Sequence, residues 1–154
     1  MARITTNTTG TQPIIEISTS NTMANSITVP FVQDVTVTNS TGIYSYTTFS
    51  DVDMRKLSTP ADNEISVNVV LDSNTWFGSN SAGTTAVELG ISNMSINKNQ
   101  IYFEVYYSGN TANSYFTSGT GYLTSLAPTV NPEAPVWVSP LTIAVDGGLT
   151  NDQV

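Results

Sequence analysis

A chain of 154 residues is long enough for one domain with a sizeable apolar core. It has no cysteine and no histidine, which removes disulfides, thiolate and imidazole metal ligands, and every catalytic arrangement built on a histidine base. Twelve acidic residues against four basic ones give a net charge of −8, which opposes attractive binding to nucleic acid but suits a surface that DNA must pass without sticking.

Residues 1–12 (MARITTNTTGTQ) are polar, Thr-rich and aperiodic, and predict a flexible arm. A first short strand is expected at 14–17, then a polar loop over 19–26. Residues 27–39 alternate weakly through Ile27, Val29, Phe31, Val35 and Val37, with Pro30 marking an edge or a bend. A turn at 39–42 leads into an aromatic strand over 43–49. Residues 50–63 then read as an exposed excursion between two strands, long for a hairpin connection. It gathers Asp51, Asp53, Arg55, Lys56 and Asp62 but few residues fit for a core.

The clearest strand lies at 64–72. Ile65, Val67, Val69 and Leu71 alternate with Glu64, Ser66, Asn68 and Asp72, a period of two that gives one packed and one wet face. The one helical candidate spans 84–94, where Val87, Ile91 and Met94 follow helical spacing, Thr84 is a possible cap, and Gly90 and Ser92 weaken the pattern. A strand over 101–107 puts Ile101, Phe103, Val105 and Tyr107 on one face and Tyr102, Glu104 and Tyr106 on the other. Its partner covers 114–126, with Gly119 and Gly121 suggesting a bulge or tight bend. A proline-stiffened loop (127–135), a last strand (136–145) with Pro140 at an edge or kink, the turn Asp146-Gly-Gly148 and a tail over 150–154 complete the chain. The domain is thus expected to span 13–149. With no signal-peptide-like start and no window near the roughly 20 apolar residues of a membrane span, the chain is expected to be soluble, made in a cytoplasm and without a membrane partner.

Thr, Ser and Asn supply 57 residues against 16 charged ones, so the surface is wetted by hydroxyls and amides rather than ions. Surfaces that meet copies of themselves carry little charge, because desolvating ions is costly. No catalytic residue, cofactor site or metal site is assigned. Two scattered acids could in principle serve a glycosidase, and Asp51 with Asp53 could form half of an oxygen-ligand calcium site. A solvated loop beside Arg55 and Lys56 explains the latter pair more simply. Trp76, Phe77, Trp137 and the tyrosines at 102, 106 and 107 could stack on sugar, although aromatics at such positions more often build core and interface. The sequons at Asn7, Asn39 and Asn93 are expected by chance in so Asn- and Thr-rich a chain.

IYFEVYYSG (101–109), YFTSGTGYLTSL (115–126), the proline-rich loop and VWVSPLTIAVDGG (136–148) follow one another in an order that resembles the tail tube (major tail) proteins of long-tailed bacteriophages, over most of 27–149. The resemblance implies a mainly β fold: a β-sandwich or barrel-like body with one flanking helix, a long loop excursion and flexible termini. It implies a structural virion protein rather than an enzyme. Six copies would form a ring and rings would stack into a tube, located in the virion tail and assembled in the host cytoplasm. Its partners would be itself and other tail proteins, with DNA passing through without specific binding. The excursion with Asp51, Asp53, Arg55 and Lys56 would bridge subunits. Wet-face residues Glu64, Asp72 and Glu104 are then the candidate lumen-facing acids. A carbohydrate-binding or capsid-decoration β-sandwich is the alternative reading.

Overall fold

The computed structural model describes residues 12–29, 31–60, 62–78 and 86–154. The alternating segments become strands, and further strands form beside them: β1 (Ile14–Ser18), β2 (Ile27–Thr28), β3 (Val32–Thr38), β4 (Gly42–Tyr46), β5 (Arg55–Thr59), β6 (Glu64–Val70), β7 (Gln100–Tyr106), β8 (Tyr115–Leu126), β9 (Thr129–Asn131), β10 (Ala134–Val145) and β11 (Thr150–Gln153). Nine of them form one antiparallel sheet in the order β2-β1-β7-β8-β10-β6-β3, with β11 beside β8 and β9 beside β10; among the described strands β4 and β5 pair only with each other.

Register explains the core. Ile17 lies opposite Phe103, Phe103 opposite Gly119, Ile143 opposite both Leu123 and Ile65, and Val37 opposite Ile65. Directly opposed residues in an antiparallel ladder share a face, so the apolar positions of six strands fall on one side of the sheet. The glycines of β8 serve that packing. A Cβ at Gly119 would lie 2.9 Å from the Phe103 ring, and one at Gly121 would lie 2.3 Å from the Ala144 carbonyl oxygen. They are therefore sites of close approach, and the irregularity expected there sits instead where β8 meets Thr142 and Ile143 of β10. Pro140 falls where β10 passes from β9 to β8, and Ser139 Oγ accepts from the Ala127 N–H at that gap (3.1 Å).

The sheet must curl. Its two edge strands, β2 and β3, are joined by residues 29–31 alone, so Thr28 and Val32 can be at most about 14 Å apart. The dry sides of β3 (Val35, Val37) and of β7 and β8 (Val105, Thr117) accordingly line opposite walls of one cleft of about 500 Å³. The body is one open, curled sheet; among the described strands β2 and β3 do not pair to close it into a barrel.

Two short helices and a 3-10 turn cover the core. Trp76 of α1 (Ser73–Trp76) and Ile91 and Met94 of α2 (Ile91–Ile96) are buried with the strand residues. The single helix expected over 84–94 is broken: Val87–Leu89 is a 3-10 turn, Gly90 is extended (ψ 142°), and α2 starts after it. Gly90 is pinned there because a Cβ would come within 2.6 Å of the Phe77 carbonyl carbon. The proposed cap Thr84 and most of the N-terminal arm (1–11) lie outside the described residues. Three further segments differ from expectation. Residues 55–59 of the excursion are a strand, residues 129–131 of the expected loop over 127–135 pair with β10, and residues 150–153 of the tail pair with Tyr115 to Ser118 of β8.

Candidate assembly surfaces

The β4–β5 hairpin grows from one end of the β3–β6 pair, where Thr38 lies opposite Glu64. Its neck is tied by Ser40, whose N–H donates to Asn63 Oδ1 (3.0 Å) and whose Oγ donates to the Asp62 carbonyl (2.7 Å). Beyond the neck both faces are wet: Ile43, Tyr44 and Leu57 are exposed, and so is every residue of β5. Tyr44 and Tyr46 stack with ring centroids 6.3 Å apart.

The tip is ordered by Asp51. Its carboxylate accepts from Arg55 Nε (2.9 Å) and Nη2 (2.8 Å) and from Thr48 Oγ1 (2.7 Å), and its own N–H donates to the Thr48 carbonyl (3.0 Å). The Arg55 guanidinium, and after it the Thr48 hydroxyl, hold the Asp51 carboxyl below its ordinary value of 3.8. Both carboxylate oxygens thus already face a cation, which replaces the half calcium site considered from sequence. Of the four charged residues expected on a subunit-bridging loop, Asp51 and Arg55 meet, while Asp53 and Lys56 project into solvent. Phe49 and Val52 at the tip are fully exposed and Met54 largely so.

The three candidate lumen acids separate. Glu64 starts β6 on its wet face, in a row with Thr38 and Ala144, and accepts from Ser66 Oγ (3.0 Å). Asp34 lies on that same face opposite Asn68, whose Nδ2 donates to it (2.9 Å). Glu104 lies on the wet face of β7 opposite Glu16 of β1 and accepts from the Tyr106 hydroxyl. Burial first, and then that hydrogen bond, raise the Tyr106 phenol above its ordinary value of 10. Because the dry sides of β3 and β7 look at each other across the core, the wet sides carrying Glu64 and Glu104 turn away from each other. Asp72 is on neither. β6 ends at Val70, and Asp72 is the N-cap of α1, its Oδ2 accepting from the N–H groups of Asn74 and Thr75 (both 3.1 Å).

Sequence reasoning missed Asp34 and Glu16 as wet-face acids. Glu16 was legible from its place between Ile15 and Ile17. Asp34 was masked by a register shift between Val32 and Asp34 that offsets the alternation. The aromatic set considered for sugar stacking is dispersed. Trp76 is in the core and Tyr106 is buried against Phe116, whereas Phe77 and Trp137 are exposed.

No protein-family model and no curated protein matches the sequence. Solved structures do resemble the fold. A chain of the virion of a native gene transfer agent particle superposes with a TM-score of 0.64 at 12% identity, over 92% of this chain and 95% of that one. A chain from the tail of an empty gene transfer agent particle, refined helically with C6 symmetry, superposes with a TM-score of 0.61 at 11% identity, over 89% and 92% of the two chains. The likeness is one of fold, along nearly the whole of both partners.

Proposed function

We propose that this chain is a tail tube subunit of a phage-like particle: six copies form a ring, rings stack, and the tube conducts DNA. One observation carries the reading. The fold superposes on a chain taken from a C6-symmetric tail over 89% of this chain and 92% of that one. The surface chemistry agrees with it. Open sheet edges at β3 and β2 offer backbone groups to neighbouring copies. The role is structural rather than catalytic, in the virion tail, with other tail proteins at its ends.

The lumen face in this reading is the wet side of β3, β6 and β10. It presents Asp34 and Glu64 among Thr36, Thr38, Ser66, Asn68 and Thr142, and its register rows hold no Lys or Arg. Acids and neutral hydroxyls give DNA phosphates nothing that would release counterions, so DNA slides without being held. Glu104 and Glu16 then belong to the opposite, outer side.

Electron microscopy of the purified protein tests the assembly: sixfold rings or stacked cylinders are expected, and a uniform monomer at every concentration refutes it. A monomer that instead retains glycans on an array supports the carbohydrate-binding reading. For the lumen, Asp34→Lys with Glu64→Lys is expected to leave tubes intact and slow DNA release, while Glu16→Lys with Glu104→Lys leaves release unchanged. The reverse pattern assigns the lumen to the β1–β7 side.

A further inference from the structure

A second apolar surface lies at the far end of β6 from the hairpin. Val70 and Leu71 follow the strand, Phe77 follows α1, and Pro128, Pro135, Val136 and Trp137 close the other wall, enclosing a groove of about 570 Å³. Phe77, Val136 and Trp137 each expose half or more of their surface. The walls are stiff. Leu71 N–H donates to the Trp137 carbonyl (2.9 Å), and two prolines fix the backbone opposite. A preformed apolar groove loses little entropy when it is filled.

We infer that this groove receives the tip of the β4–β5 hairpin of a second copy, with Phe49 and Val52 as the inserted side chains. Three observations single out that occupant. First, the tip carries the most exposed large apolar side chains among the described residues, and the Asp51–Arg55–Thr48 bonds hold them in a fixed turn. Second, the hairpin leaves β6 at Glu64 and the groove lies past Val70, about 20 Å away along the strand. A hairpin that pairs with no other described strand, and whose tip is fully exposed, does not fill the groove of its own chain. Third, the charges agree. Residues 42–59 hold two acids and two bases and are neutral in a chain of −8, so this segment approaches another copy without net charge repulsion.

Donor and acceptor at opposite ends of one strand make the contact head-to-tail. A heterologous contact closes into a ring or propagates openly according to its rotation; with donor and acceptor at opposite ends of β6, we take copies joined this way to add along the strand direction. The inference deepens the tube reading by naming the receiving surface, and its failure is separable from the failure of that reading.

The chain has no cysteine, so single introduced thiols report unambiguously. Val52→Cys and Val136→Cys are both at exposed positions. Mixing the two single variants and oxidising is expected to give a mixed 52–136 disulfide dimer, and the double variant a ladder of covalent multimers. Trp137 is the exposed one of the two tryptophans, so its emission is expected to shift to the blue as copies associate. Phe49→Ser with Val52→Ser should abolish that shift and raise the concentration needed for association at least tenfold, with the circular dichroism unchanged. Sixfold rings without any 52–136 cross-link overturn the docking and leave the tube standing. Cross-linked ladders without rings do the opposite. Dimers formed by Val52→Cys alone, in place of the mixed species, show a tip-to-tip contact and also overturn the inference.

Discussion

The large sheet that forms the body and the β4–β5 hairpin are built from the same residue types under opposite constraints. In the body, strands pair on both sides and place their apolar residues together: Ile17, Ile65, Phe103, Leu141 and Ile143 are all sealed from solvent. In the hairpin, two strands pair with no other described strand, and Ile43, Tyr44, Phe49, Val52, Met54 and Leu57 are all exposed. A two-stranded ribbon alone is marginally stable in water. What holds this one in the monomer is its ladder, the Ser40 tie at the neck and the Asp51–Arg55 pair at the tip. The contrast separates two kinds of information in one chain. The body's apolar pattern specifies folding, and the hairpin's specifies what the folded chain meets.

The largest effect expected from this contrast comes from exchanging one phenylalanine in each region. Phe103→Ala leaves a cavity in the middle of the sheet, under a β8 glycine that cannot fill it, and should cost about 3–5 kcal/mol in chemical denaturation. Phe49→Ala should leave the denaturation midpoint of dilute protein unchanged and weaken association. Equal losses of stability in the two variants would mean that the hairpin is part of the core.

A smaller effect sharpens the account of Asp72. As the N-cap of α1 it satisfies two backbone N–H groups, and Asp72→Ala should destabilise the body by about 1 kcal/mol. Asp72→Asn, which keeps an acceptor oxygen, should restore most of that. A lumen-facing acid would show no such rescue.

The smallest effect is confined to the hairpin tip. Asp51 has a depressed carboxyl pKa in the folded chain, so its contribution to tip order is complete above about pH 3.8 and is lost as pH falls through the lower folded value. The amide of Thr48 and the Nε–H of Arg55 should therefore keep their folded NMR shifts from pH 7 to pH 4 and move together only below that. Asp51→Asn should abolish the transition while the core methyl signals stay in place. Movement of both signals between pH 5 and 7 would contradict the Arg55 assignment.

How much of this was legible in the sequence follows from what each segment must satisfy. β6, β7 and the second half of β10 were legible because a face in a core has to alternate, and theirs does at Ile65, Val67 and Val69, at Ile101, Phe103 and Val105, and at Leu141 and Ile143. β5 (RKLST) and β11 (TNDQ) were not, since neither buries a side chain; backbone pairing holds both, helped by polar side-chain bonds such as Arg55 to Asp51 and Thr117 Oγ1 to Asn151 Oδ1. The helix was half legible. Ile91 and Met94 reach the core, but the pattern that included Val87 ignored the extended Gly90 between them. Among the site residues, the four-residue spacing of Asp51 and Arg55 anticipated their pairing. Asp72 was misread because the strand alternation was carried two residues past Val70, although an Asp ahead of Ser-Asn-Thr is itself a helix-start signal. That Glu64 and Glu104 turn to opposite sides depends on how far the sheet curls. The distant pairing of β6 with β10 and of β1 with β7 puts β2 and β3 at opposite edges of the sheet and so sets that curl, and no local pattern records it.

The division between body and hairpin is tested most directly by sedimentation velocity of the full chain beside one in which residues 43–58 are replaced by two glycines. Gly42 and Thr59 are cross-strand partners, so the short link joins positions already about 5 Å apart. The full chain should sediment as a concentration-dependent series of large species, and the shortened chain as compact particles no larger than a single ring at every concentration. Large species from both chains, or a slow, expanded boundary from the shortened one, would contradict the account. The first result would remove the hairpin from assembly, and the second would make it part of the fold.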